Sequence, residues 1–265
     1  MAMLKQHMNN QQLTTETGHR GLLRHRFYAP PEGFQDDTVH LDQEETGHLA
    51  RVLRLGVGEL VEVCDGQGRQ VEARVIALKA GGAQLQVIRE LAGWGESPLR
   101  LVLGIGLAKG VALDGVIRQA TEMGVQRIIP FYSERSERPA PERARRRQDR
   151  WRRLAREILK SCQRAVLPEI GPVEKFAAVL SGSEEMKLIF WEEERRGGLQ
   201  SCLSLERPGS VRLLIGPEGG FAAAEAAQAR EAGFRVASLG PRRLKVETAA
   251  LAALALVQGA WGDLA

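Results

Sequence analysis

Residues 211–250 read VRLLIGPEGGFAAAEAAQAREAGFRVASLGPRRLKVETAA, and this stretch decides how the rest of the chain is interpreted. Residues 211–215 form a short apolar run with β-branched members, the pattern of a buried strand, and Gly216, Pro217, Glu218, Gly219 and Gly220 then break the chain sharply. An alanine-rich helix over residues 221–232 follows, with Glu225 and Arg230 in the order that the helix dipole favours and Gly233 as its C′ residue. A second short strand, residues 234–239, runs into Leu239, Gly240 and Pro241, and a last helix starts near Val246 or Glu247. Two tight loops at neighbouring strand ends present backbone on one side of a sheet, where nucleotide-like cofactors sit. A plain strand-to-helix connection needs one glycine at most, so three glycines and a proline in residues 216–220 favour a ligand loop.

Working upstream, the hydrophobic period divides the chain. Residues 1–22 are polar, contain Asn9, Asn10, Gln11 and Gln12 in succession and lack periodicity, so they are expected to be a disordered leader. Residues 23–92 carry short strands at 27–28, 38–41, 60–64, 70–78 and 84–91, and one helix over 42–53 with Asp42 and Glu45 as its capping box. That pattern predicts a small β-barrel or half-barrel domain. Glycine, serine and proline mark a linker, and from 98 to 265 strands alternate with helices, which implies an α/β domain with a parallel sheet covered on both faces.

Composition narrows the chemistry. With 43% hydrophobic and 26% charged residues the chain is an ordinary globular one, and it has no apolar run of membrane-spanning length or signal-peptide core. A cytoplasmic protein is expected, with no membrane partner. Cys64, Cys162 and Cys202 are far apart, and all five histidines precede residue 49. Neither a zinc site nor a histidine-based triad suits the glycine-rich loops, so no metal is expected.

Gly104, Gly106 and Lys109 resemble a dinucleotide fingerprint, but the third glycine and the acidic ribose partner are missing, so a structural turn is the better reading. The basic run is more informative: residues 135–164 carry a net charge of +8, against +4 for the whole chain. Arg146, Arg150, Arg153, Lys160 and Arg164 fall on one helical face, and Trp151, Leu154, Ile158 and Cys162 on another. Most charge runs are merely solvated, but the dominance of arginine favours phosphate recognition. Arg26, Arg51, Arg54, Lys109 and Arg135 extend the candidate RNA-binding set, with Arg24 beside them. Glu247 and Thr248 are as well explained by helix-start preferences as by a functional role.

Four motifs read together are more specific than any alone: IGPEGGF at 215–221, LGPRRLKVETAA at 239–250, TEMGV at 121–125 and HLARVLRLGVGE at 48–59. With them the chain resembles the bacterial 16S ribosomal RNA (uracil-N3) methyltransferases, a branch of the SPOUT superfamily, from about Arg24 to its C-terminus. The resemblance implies a PUA-like RNA-binding barrel followed by a SPOUT-type parallel sheet with a C-terminal trefoil knot, a rare exception to unknotted topology. It implies S-adenosylmethionine as cofactor, 16S rRNA in the small ribosomal subunit as partner, and a homodimer with each site near the subunit interface. The implied cofactor cradle comprises Phe190, Trp191, Leu214, Ile215, Gly216, Pro217, Glu218, Gly219, Gly220, Leu239, Gly240, Leu244, Thr248 and Ala249.

Three departures from the family pattern stand out. Lys245 replaces the usual arginine and joins the RNA-binding candidates; the segment Lys160, Ser161, Cys162, Gln163, Arg164 keeps the arginine but lacks the usual Glu-Gln pair. Ala222 replaces a capping serine, at a cost of about 1 kcal/mol to the helix that follows. The implied reaction is methylation of N3 of a uridine, with Arg164 expected to stabilise charge and Glu247, or Glu218, to act as base. Two alternatives stay open: a non-catalytic RNA-binding or ribosome-assembly protein on this fold, and a SPOUT enzyme acting on another RNA position.

Overall fold

The computed structural model describes residues 25–79, 81–92, 95–194, 198–203 and 206–264. The expected leader at 1–22 lies outside the described residues. The N-terminal part consists of β1 (Arg26–Tyr28), β2 (Phe34–Gln35), β3 (Thr38–Leu41), α1 (Gln43–Gly47), β4 (Leu60–Cys64), β5 (Gln70–Lys79) and β6 (Gly82–Glu90). Its six strands run in the order β1-β4-β5-β6-β3-β2, antiparallel except for the parallel β1–β4 pair. Alternating side chains from these strands, among them Phe27, Val39, Val61, Val63, Val71, Val75 and Leu85, make one buried cluster.

The expected single helix over 42–53 is instead two pieces. Asp42 does cap α1, accepting from the Glu45 backbone N–H at 2.8 Å, but α1 ends at Gly47 and a π-helical turn, His48–Val52, follows. Glu45 does not close a capping box. Its buried carboxylate accepts from Lys160 Nζ at 2.6 Å and from the Tyr28 N–H at 3.2 Å, because an ammonium satisfies a buried carboxylate better than a neutral amide does.

The C-terminal part follows as β7 (Arg100–Gly106), α2 (Ala112–Glu122), β8 (Arg127–Tyr132), α3 (Pro141–Ser161), β9 (Glu169–Ile170), β10 (Glu174–Lys175), α4 (Phe176–Val179), β11 (Met186–Phe190), α5 (Leu199–Leu203), β12 (Ser210–Ile215), α6 (Ala223–Glu231), β13 (Arg235–Ala237) and α7 (Val246–Trp261). The sheet is entirely parallel, ordered β10-β8-β7-β12-β11-β13, with β9 beside the first half of β8. Leu101, Leu103 and Ile105 of β7 pack with α2, α3 and α7 on one face, while Val102, Ile129, Ile189 and Leu214 pack with α4 and α6 on the other. Both faces are therefore apolar, as the continuous hydrophobic strands require. The short elements β2, β9, β10, α4 and α5 escape the sequence pattern because each is too brief to show a period.

One polar node joins the two parts and overturns an expectation. Arg164, assigned above to RNA and charge stabilisation, is 1% exposed. Its Nη2 donates to Glu96 Oε2 at 2.8 Å and its Nη1 to the carbonyls of Thr121 and Val125 at 2.8 and 3.0 Å. Glu96 also accepts from the Ala165 and Val166 backbone N–H groups at 2.9 Å each. Arg26 belongs to the same node, donating from Nη2 to the Arg164 carbonyl and to Gln70 Oε1, both at 2.7 Å, while its Nε and Nη1 are buried without a hydrogen-bond partner among the described residues. Neither guanidinium is available to RNA. The expected stripe on α3 thus divides, since Lys160 turns toward Glu45 of the N-terminal part and Arg164 toward Glu96 and the end of α2, while Arg146 and Arg153 remain exposed.

Two outcomes follow from these ion pairs. Arg164→Met should lower stability by about 2–4 kcal/mol, chiefly because two buried carbonyls lose their donor, while half-buried Glu96 keeps contact with water; urea unfolding measures this, and an unchanged midpoint would contradict it. Glu184 and Arg212 form a pair buried on both sides, at 2.8 Å. Burial alone would raise the Glu184 carboxyl, but the bonded Arg212 holds it below its ordinary value. Its stabilisation is therefore complete above the unfolded carboxylate value of about 4.3 and is lost as pH falls through the lower folded value. The gap in melting temperature between wild type and Glu184→Gln should be wide at neutral pH and close in acid.

Candidate cofactor pocket and nucleic-acid face

The strands β11, β12 and β13 end side by side, with Phe190 level with both Ile215 and Ala237. Three loops leave these ends, and together with the first turn of α7 they enclose a cavity of about 500 Å³. Its size is that of a small-molecule site. The loop after β12 is held at its far end by Phe221, which stacks on Phe131 at 6.1 Å and packs against Phe176 at 5.5 Å. Its turn is closed by Gly220 N–H to Pro217 O at 2.9 Å, and Gly220 has φ +70°, which a side chain would strain. Trp191 Nε1 donates to Phe221 O at 3.1 Å and ties the neighbouring loop to it. The missing serine at Ala222 leaves half a capping box: Glu225 Oε2 accepts from the Ala222 N–H at 2.9 Å, and Oε1 accepts from the Glu134 N–H at the same distance.

Of the expected cradle, Phe190, Trp191, Ile215, Gly216, Pro217, Glu218, Gly219, Gly220, Leu239, Gly240, Leu244 and Ala249 line this cavity. Leu214 does not. It points into the opposite core with Ile189 and Phe221, because alternate residues of a strand face opposite sides of the sheet. Thr248 is exposed and outside the cavity wall. Glu247 and Lys245 both line the cavity, as does Glu192, which the resemblance places in the strand-end loop with Phe190 and Trp191, and so do Ser238, Arg242, Arg243 and Val246, which the sequence leaves unassigned. Arg242 and Arg243 were legible as part of the second loop, but nothing in the residue pattern showed which way that loop turns. The walls thus combine apolar side chains with three carboxylates, Glu192, Glu218 and Glu247, and with cations at the second loop.

Gly104 and Gly106 make no dinucleotide fingerprint. A Cβ on Gly106 would lie 2.3 Å from Pro217 N, so this glycine lets the ligand loop close over the end of β7. Outside the cavity, Lys109, Arg135, Arg146 and Arg153 are exposed on the C-terminal part and Arg51 and Arg54 on the N-terminal part. Arg150 is exposed too but pairs with Asp114, and Arg135 Nη1 donates to Gly219 O at 3.1 Å. Among the described residues no group of acidic, histidine or cysteine side chains could hold a metal, and no helix is long and apolar enough to cross a membrane.

A parallel α/β sheet with a looped pocket at its strand ends, preceded by a mixed six-stranded sheet, defines the class of protein. The family model of the RNA methyltransferase domain matches residues 95–258, and that of the RNA methyltransferase PUA domain matches residues 41–88. The chain is 31% identical over 241 residues to ribosomal RNA small subunit methyltransferase E of Synechocystis, covering 89% of this chain and 78% of that protein. It is 28% identical over 228 residues to the Bacillus subtilis protein of the same name, covering 83% and 89%. The crystal structure of ribosomal RNA small subunit methyltransferase E from Neisseria gonorrhoeae bound to S-adenosyl methionine superposes with a TM-score of 0.82 at 32% identity, covering 91% of this chain and 99% of that one. This chain belongs to the ribosomal RNA small subunit methyltransferase E family.

Proposed function

We propose that the protein methylates N3 of a uridine in 16S rRNA of the small ribosomal subunit, using S-adenosylmethionine. The observation that carries this reading is the three-loop cavity, whose chemistry fits that cofactor. Phe190, Ile215, Leu239 and Leu244 offer apolar walls to an adenine ring, and Glu192, Glu218 and Glu247 offer negative charge to a sulfonium and an ammonium group. Bound there, the cofactor supplies an electrophilic methyl group. The chain's own part is to orient the acceptor and remove its proton. Uracil N3 must lose a proton before it can act as nucleophile, so Glu247 is the proposed proton acceptor, and Lys245 and Arg242 favour the negative charge left on the ring oxygens. Arg164 has no part in this scheme, being buried away from the cavity.

Several further assignments accompany this reading. The exposed arginines and the PUA-type domain would bind the rRNA, with a domain division between residues 92 and 98 and a cytoplasmic setting. Leu251 and Leu256 of α7 are 37% and 46% exposed while Ala250, Ala253, Leu254 and Val257 are buried, so the helix keeps a second apolar face that suits a homodimer. A trefoil knot is supported by the path of the chain after β12: it runs out to β13 at the sheet edge and returns as α7 against α2 and β12.

Calorimetry should detect binding of S-adenosylmethionine. Gly106→Ala, which drives a methyl group into the ligand loop, should weaken that binding at least about tenfold, a loss of some 1.4 kcal/mol. Absence of binding by the wild type would favour the non-catalytic alternative. Mass spectrometry of 16S rRNA from a deletion strain should show one methyluridine lost and restored with the gene; loss of a different modified nucleoside would favour the alternative of another RNA position.

A further inference from the structure

We infer that a second cavity, behind the wall formed by Pro217 and Glu218, holds a phosphate of the RNA strand beside the nucleotide being methylated. This rests on the reading that RNA is the substrate. The cavity measures about 310 Å³ and shares Pro217 and Glu218 with the cofactor-type pocket, so an occupant of one lies a loop's thickness from an occupant of the other. Lys109, Arg135, Arg143 and Arg147 line it, against the carboxylates Glu137 and Glu218.

The chain builds this site from three segments that the fold brings together. Lys109 follows the end of β7, Arg135 follows β8, and Arg143 and Arg147 lie one turn apart on the first half of α3. Arg147 is held in place: its Nη2 donates to the Ala108 carbonyl at 2.9 Å and its guanidinium stacks over Trp151 at 5.3 Å. Burial, with Arg143 and Arg150 near by, pushes its guanidinium below the ordinary arginine value. Two carboxylates offset this, Asp114 first and Glu137 second, and Asp114 is already engaged by Arg150 and by Trp151 Nε1. Among the described residues Lys109 and Arg143 form no ion pair within 4.0 Å with the two wall carboxylates or any other acid.

Cations in excess over the two wall carboxylates repel one another, and an entering anion relieves that repulsion. Fork-shaped guanidinium groups match phosphate oxygens in pairs, whereas Lys109 supplies a point charge. The volume exceeds that of a bare phosphate and leaves room for an attached sugar. Fixing that phosphate would orient the neighbouring base across the Pro217–Glu218 wall, which is the positioning that methyl transfer needs.

The test uses the full-length protein with the double substitution Lys109→Ala and Arg143→Ala, beside Arg118→Ala and Arg145→Ala, which removes two exposed cations outside the cavity wall. S-adenosylmethionine affinity should be unchanged in both. Affinity for a 16S rRNA fragment should fall about tenfold in the first variant, and the slope of log affinity against log salt should drop by about 1, with a smaller change in the second. Equal losses in the two variants, or an unaltered salt slope in the first, would overturn the inference. So would calorimetric binding of inorganic phosphate abolished by the first variant while its RNA affinity stays intact, which would make this a free-anion site. Methyl transfer to small subunits by the wild type is scored separately, so an inactive wild type refutes the uridine reading while the RNA-binding comparison still decides this one.

Discussion

The approach of β7 to the loop after β12 is the constraint on which the rest of the site depends. At Gly106 there is room for a hydrogen and nothing larger, because Pro217 N lies 2.3 Å from where a Cβ would stand. That contact folds the ligand loop over the strand end, and the same two residues, Pro217 and Glu218, then serve as a wall with a cavity on each side. One steric requirement at one glycine thereby sets the distance between the two sites. The loop's other end is fixed independently by the packing of Phe221 on Phe131 and Phe176, so it is clamped at both ends before any ligand arrives. A loop held this way loses little further conformational freedom on binding.

The node around Glu96 and Arg164 explains motifs that carried the family resemblance without an obvious chemical purpose. TEMGV supplies two carbonyls, those of Thr121 and Val125, to the guanidinium of Arg164. Gly124 within it has φ +77° and turns the chain sharply, and Gln258 of α7 donates to the Met123 carbonyl at 2.6 Å. The motif is therefore a junction where α2, α7 and the interdomain segment meet. Its value lies in orientation: Arg26 from β1 and the short bridges between Gly66, Gln67 and Val166 attach the N-terminal sheet to the same spot. A surface for RNA spread over both parts keeps a fixed shape only if such a junction is rigid.

The sequence was legible where period and punctuation were strong. The alternation of strands and helices and the two glycine loops stand in the structure within a residue or two of their expected bounds, whereas α3 buries Trp151 as expected but with Ala155 and Leu159 in place of the expected Leu154, Ile158 and Cys162. Side-chain destination was less legible. Arg164 and Arg153 look alike on a helical projection, yet Arg164 lies just past the helix end, where the chain turns through Gln163 at φ +63°, and there it meets the half-buried carboxylate of Glu96, far upstream in sequence. Leu214 sits one residue from the ligand loop but on the wrong side of the pleat. The segment expected as one helix over 42–53 is helical over 43–52 but changes from α to π at His48, and its expected capping box is unmade because Glu45 answers to Lys160, a partner no local pattern can reveal.

Charge in the segment 135–164 is consequently divided among three tasks that a simple count conflates. At its end nearest the junction, Lys160 neutralises the buried Glu45 and Arg164 the half-buried Glu96, and the Lys160–Glu45 pair with the Arg26 bond to the Arg164 carbonyl holds the two parts together. Its middle, Arg146 and Arg153, stays in solvent where screening leaves mainly long-range attraction for a polyanion. Its beginning, Arg135, Arg143 and Arg147, faces a cavity against the ligand loop, where water is partly excluded and the same charges act more strongly. An RNA strand drawn by the middle group would be placed by the last, where Arg147 is fixed by a carbonyl and an indole ring and Arg135 by the Gly219 carbonyl. Arg143 and Arg147 face the cavity while Arg146, in the same turn, faces solvent, so a substitution's effect depends on which face of the helix it falls on.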